Sequence, residues 1–410
     1  MKRRDFLVAT VGTLGAPASA ICRAESQPCP APNVSVSGAS GGAQAVATPC
    51  QIPGSASPAW LRGIPPFQWI TLPSLSASQV LPIPLPPGIT GIRSVTDAWS
   101  GAALRQNGSY YILHGGGHGD YAGNEIYALQ LSLDNPQWTR IWGPTPNAEI
   151  VPNQYYYGDS PPAPASIHSY YALAYDDQDD VFMRFMRGQY ILPNFGRGID
   201  GIRWGAPNWE QNQNNTIWPL PPQAWKWGQG QCKDPSGNVY FVNSWNRFVW
   251  NRRANAWSTP ISNSRYAVQS SGCCFDSRRN TIWSFGGSYA AGSVKTGQAY
   301  MWDVSTNRES LLSLAGPSAS AIDGLNANNS GAAYDPVADL VFVITGDSNV
   351  YVFNPSTQAV TRASTTGASL PNTTASTANS PWGKFQYVPQ LGGVVIQPTW
   401  KSATMFMRTH

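Results

Sequence analysis

Two stretches, "SSGCCFDSRRNTIWSFGG" (residues 270–287) and "NSGAAYDPVADLVFVITGD" (residues 329–347), decide how this chain folds, because one superposes on the other. Each opens with small residues, reaches an aspartate (Asp276, Asp335), turns, and continues through an apolar segment ending at or near glycine. Short apolar runs on either side of a turn signal read as paired strands. The frame recurs at 169–188, at 230–245 around Asp234, at 99–117 with Gln106-Asn107-Gly108 as its turn, and most loosely at 382–399. A third apolar segment follows each pair ("NEIYALQL", "RFVWNRR", "QAYMWDV", "NVYVFNP", "ATMFMRT"), and often a fourth carrying Trp, as in "PQWTRIW" and "NAWSTPI".

The marker aspartates stand 42 residues apart from Asp234 to Asp276 and 59 from Asp276 to Asp335. Four strands repeating every ~50 residues is the signature of a kelch-like β-propeller. Six units are countable, so the expectation is an all-β, six-bladed ring, or seven blades if an insertion hides one. The composition agrees: 12% aromatic and only 12% charged residues, with 39 Gly and 35 Pro, suit many short strands joined by tight turns. The last unit stops short of a fourth strand at His410, while "PFQWITLPSL" (66–75) is a strand without a near partner. Pairing it with 403–409 would close the last blade and remove both open edges.

The first twenty residues, "MKRRDFLVATVGTLGAPASA", place Arg3-Arg4 before a short apolar stretch and an Ala18-Ser19-Ala20 cleavage site. That is the layout of a twin-arginine signal peptide (1–20), which implies a periplasmic or secreted protein. Residues 21–57, rich in Ser, Gly, Ala and Pro, read as a flexible leader. The propeller domain is expected over 58–410. No later stretch approaches 18 consecutive apolar residues, so no membrane association is expected after signal removal. The 26 basic and 22 acidic residues (net +4) are scattered without runs, which speaks against nucleic acid. A monomer is expected. Cys22, Cys29, Cys50, Cys232, Cys273 and Cys274 lie beyond the cleavage point; an oxidising compartment permits disulfides, but six cysteines allow ~15 pairings.

Only four histidines occur, and two flank the glycines of "YYILHGGGHGDYAGNEIYAL" (110–129). In a propeller this segment joins the second and third strands of blade 1, and "ASIHSYYAL" leads into blade 2. Both belong on the face where inner strands begin, so His114, His118 and His168 are expected there together. Asp120 and Asn124 add donors and acceptors to the same loop, and counting back from the marker aspartates places Trp99, Gln231, Asn329, Trp382 and Lys384 at the same mouth, giving a set of substrate-binding candidates. Amides, hydroxyls and aromatic faces suit a carbohydrate or polysaccharide ligand.

By its blade repeat and glycine pairs, the chain from about residue 60 to 410 resembles the kelch and galactose-oxidase-like propellers. Its "GGGHGDYAGNE" loop (115–125) and His168-Ser169-Tyr170 are similar to those of a group of exported bacterial kelch-like proteins. That resemblance implies the propeller fold but no settled activity. Three functions follow from the residues. A polysaccharide lyase would use His118 or His168 as base, Tyr121 or Tyr170 as proton donor, and Arg184, Arg187 or Arg197 against the uronate carboxylate, with Arg187 preferred. A metal-dependent enzyme would hold a divalent ion with His114, His118 and His168, assisted by Asp120. The third is a non-catalytic propeller binding glycan or protein. No cofactor is identified.

Overall fold

The computed structural model describes residues 57–73, 76–117, 119–191, 195–223, 228–242, 246–262, 271–286, 299–323, 330–373 and 377–410. The expected signal peptide and all but the last residue of the expected leader lie outside the described residues, as do His118 and Asn329.

Six antiparallel sheets form six blades, each built outward from an inner strand. The inner strands are Ala102–Arg105, Leu173–Asp176, Gly230–Lys233, Gly272–Asp276, Gly331–Asp335 and Gln386–Val388. Gly or Ala recurs in five of them, where neighbouring inner strands crowd together near the axis. At Gly272 an added Cβ would stand 2.5 Å from the Ser330 carbonyl oxygen of the next blade. A separate apolar core fills each of the six blade-to-blade interfaces, including the one between blades 6 and 1 that closes the ring.

The closing strand is where the sequence placed it. Gln68–Thr71 runs antiparallel to Met405–Arg408, with Trp69 opposite Met407 and Thr71 opposite Met405. Trp69 is buried against Phe342, Val352 and Val394, and burying such a ring is worth about 3 kcal/mol. A fifth strand, Thr366–Gly367, extends this sheet in parallel on its outer edge. Blade 2 contains three strands among the described residues, ending at Asp200–Arg203. The long connection ahead of it holds a two-stranded ribbon, Tyr156–Tyr157 with Ala163–Pro164.

The repeated aspartates have a local reason. Asp276 Oδ1 accepts the backbone N–H groups of Arg278 and Arg279, and Asp335 Oδ1 those of Val337 and Ala338, so each closes its own turn. Some of these aspartates, and acidic residues further along the turns, also tie neighbouring blades together on this lower face. Arg252 of blade 3 reaches Asp176 of blade 2 at 2.7 Å, and Arg279 of blade 4 reaches Asp339 of blade 5 at 2.6 Å. His410, the fourth histidine, closes the series at 2.8 Å from Asp335.

No helix among the described residues is long and apolar enough to cross a membrane.

Candidate functional site

The glycines after His114 are dictated by close approach. Gly116 and Gly117 have φ of +146° and +66°, and a Cβ on Gly117 would lie 2.6 Å from the backbone nitrogen of His168. The blade 1 loop therefore presses onto the segment that begins blade 2. Ser166 fastens the two, its hydroxyl donating to the Tyr121 carbonyl at 2.7 Å.

This contact creates a histidine–carboxylate pair. His168 Nε2–H donates to Asp120 Oδ2 at 2.8 Å. The Thr90 hydroxyl donates to Oδ1, and the Thr90 and Gly91 backbone N–H groups donate to the Asp120 carbonyl at 3.0 and 2.8 Å. The His168 side chain is 3% exposed and that of Asp120 is 23% exposed, so the carboxylate is the accessible member. Burial lowers the His168 pKa, opposed by the hydrogen bond and charge of Asp120, and the ring is neutral at neutral pH. The half-buried Trp99 indole lies over it, with ring centres 4.8 Å apart and planes tilted by 32°. Tyr170 meets the same imidazole edge-on at 6.1 Å. Its phenol is pushed upward by burial and by the Asp120 charge, so it keeps its proton.

Trp99, Tyr170 and Trp382 occupy the same place before the inner strands of blades 1, 2 and 6, and all three have left-handed backbones, with φ of +49°, +47° and +43°. That conformation costs a bulky residue about 1 kcal/mol or more. Neighbouring blades hold it in place. The Tyr170 N–H donates to the Trp99 carbonyl at 2.7 Å, the Gly383 N–H donates to the Tyr170 carbonyl at 3.3 Å, and the Tyr170 and Trp382 rings meet edge-on at 5.1 Å. Gly101 is required beneath them, since a Cβ there would come 2.2 Å from the Tyr170 carbonyl oxygen.

Several sequence candidates are committed to the fold instead of to the mouth. His114 is fully buried, its Nδ1–H donating to the Glu125 carbonyl at 3.1 Å, while its Nε2 accepts from Arg184 at 3.3 Å. Burial, reinforced by the Arg184 charge, lowers its pKa to about 3. A nitrogen that faces a guanidinium is not placed to ligate a cation. His114 packs on Phe182 and Trp209, whereas His168 packs on Trp99 and Tyr170, so the two rings face different surroundings. Among the described residues no group of three His, Cys, Asp or Glu side chains is arranged to hold a metal ion.

Arg184 and Arg187 both pair with buried Asp200, at 3.0 and 3.2 Å, and Arg187 spends a further N–H on the Asn212 carbonyl at 2.6 Å. Arg197 donates to the Pro221 carbonyl at 2.9 Å. Tyr121 is buried with its hydroxyl on Glu125 Oε1 at 2.7 Å, beside Tyr127 on the same oxygen at 2.8 Å. Asn124 braces the loop through Thr145 and the Pro164 carbonyl. Lys384 is buried, its Nζ donating to the Thr96 carbonyl at 2.9 Å, and desolvation lowers its pKa to about 8. Gln231 ties blade 3 to blade 2 through the Leu173 carbonyl at 3.0 Å and faces the axis.

Two participants escaped the sequence reading. Thr90 reaches Asp120 from the Pro-rich segment before blade 1, where Gly88 allows the approach: a Cβ there would meet the Asp120 carbonyl oxygen at 2.3 Å. The Pro86-Pro87-Gly88 turn signal was its only trace in the sequence. Asp200, which absorbs both arginines, carried no signal at all.

The axis itself contains a cavity of about 230 Å³, bounded by inner-strand residues including Leu173, Cys232, Cys273 and Ala333, with Trp382 also in its wall.

These blades define a six-bladed β-propeller. The structure is similar to that of YCF48 bound to D1 peptide (TM-score 0.38, 12% identity, covering 87% of this chain and 98% of that one). It is also similar to that of YjhT (TM-score 0.47, 8% identity, covering 78% and 94%). At these values the likeness carries nothing about ligand or activity. No family model and no curated protein matches the chain.

Proposed function

We propose that this propeller is an exported carbohydrate-binding protein whose ligand contacts Asp120 and Trp99 on the upper face. The observation that carries this reading is the partly exposed Asp120 carboxylate, held by His168 and Thr90 beside the half-buried Trp99 ring. A fixed carboxylate accepts sugar hydroxyls, and an indole face covers the apolar C–H patch of a pyranose. Export rests on the Arg3-Arg4 signal layout and the Ala18-Ser19-Ala20 site.

The local charge favours neutral glycans over uronic-acid polymers. Arg184 and Arg187, the cations that β-elimination would direct at a uronate carboxylate, are buried and turned onto Asp200, away from a ligand at Asp120. A neutral His168 imidazole still favours acid–base chemistry as the second reading. Titration calorimetry against neutral and uronic-acid oligosaccharides, with absorbance monitoring for unsaturated products, tests both. Binding of a neutral glycan that is lost in Trp99→Ala supports the proposal. Binding of none, or binding indifferent to both Trp99→Ala and Asp120→Asn, overturns it, and unsaturated products would restore the lyase.

A further inference from the structure

Cys232 and Cys273 lie on the inner strands of adjacent blades 3 and 4, and both line the axial cavity. A Cβ placed on Gly230 would be 3.3 Å from Cys273 Sγ. Gly230 and Cys232 share one face of their strand, because side chains alternate, so the Cys273 sulfur sits over the face that carries Cys232. Both cysteines belong to the apolar core between blades 3 and 4, with Tyr240, Val242 and Trp302, whereas Cys274 points the other way into the core between blades 4 and 5. Burial first, and then the neighbouring Cys273 thiol, raise the Cys232 pKa. All three are free thiols here, and Cys232 is the more accessible of the pair.

The geometry points to a disulfide between Cys232 and Cys273, formed across the blade 3–blade 4 interface by exchange with a small-molecule disulfide. Cys232 loses its proton and attacks one sulfur of that disulfide, releasing one thiol and leaving a mixed disulfide. Cys273 then loses its proton and displaces the second thiol. Two cysteine thiols are oxidised to one S–S bond, and the small disulfide is reduced to two thiols. With no third ligand among the described residues, the pair fits a covalent bond better than a metal site. The product cross-links two inner strands in the cavity wall, independently of the glycan site. Burial raises the Cys232 pKa, so exchange is slow at neutral pH and faster in mildly alkaline buffer.

The test treats reduced, full-chain protein with oxidised glutathione in such a buffer, then alkylates, digests and maps the peptides by mass spectrometry. The expected result is one linked peptide pair joining Cys232 to Cys273, with Cys274 alkylated, and a melting temperature raised by about 5 °C. Cys274→Ala retains the link and the shift. Cys273→Ala loses both, and Cys232→Ser provides a second variant should Cys273→Ala fail to fold. A link from either cysteine to Cys274, Cys22, Cys29 or Cys50, glutathione retained on Cys232, or both thiols alkylated after oxidation overturns the inference.

Discussion

His168 and Asp120, 48 residues apart in the chain, meet at 2.8 Å because the second-to-third-strand loop of blade 1 folds onto the segment that starts blade 2. Neither residue gains this partner from its own blade. Ring curvature supplies it, and the closely packed glycines of the loop permit it.

Replacing Asp120 with Asn keeps the shape but removes the charge. Affinity for a bound oligosaccharide is expected to fall about tenfold, or about 1.4 kcal/mol. Trp99→Ala should cost about 2 kcal/mol through loss of the stacking face. Titration calorimetry at fixed salt measures both, and unchanged affinity in the pair of variants would move the ligand elsewhere.

His114 should stay neutral far into the acid range. Its folded pKa of about 3 lies below the ordinary 6.5. The stability it supports is therefore complete above 6.5 and is lost as pH falls toward 3, by an amount on the order of 5 kcal/mol. Histidine-selective NMR titration checks this directly: a His114 resonance that titrates near pH 6 contradicts the packing described.

The lower-face carboxylates work in the same direction at lower pH. Burial acts against the Asp335 carboxylate, yet hydrogen bonds from Thr409 and His410 hold its pKa below the ordinary 3.8. Arg279 holds Asp339 low as well. Folded values below unfolded ones mean stability present above 3.8 and lost as each group protonates beneath it. Melting temperature should drop steeply below about pH 4, and Asp335→Asn should lower it at pH 7 while flattening that drop. A variant with the parent's acid profile would show that the tie is idle.

Gly101→Ala isolates backbone crowding at the mouth, since the new Cβ would meet the Tyr170 carbonyl oxygen at 2.2 Å. A loss of about 3 kcal/mol in urea unfolding is expected. Full stability would mean that the three left-handed aromatics do not constrain one another.

Trp69→Ala tests ring closure. Removing a ring buried between blades 5 and 6 should cost about 4 kcal/mol and lower the urea midpoint without changing the m-value. If the m-value falls as well, blade 6 opens before the rest of the ring.

What the sequence by itself determined was the blade; it favoured six copies and left seven open, which the structure decided as six. Asp276 and Asp335 each hydrogen-bond N–H groups two and three residues on, and the apolar segments after them pair with near neighbours, so both leave local patterns. The closing strand was legible too, because an unpaired "PFQWITLPSL" and a last unit lacking a strand complement one another. Only the tertiary structure decided which polar side chains remain available. Arg187 and Lys384 look alike as free cations in sequence, yet Asp200 takes one and the Thr96 carbonyl the other. Hydrogen-bond partners are chosen by distance across packed elements, and burial then sets the cost of leaving any of them unmet.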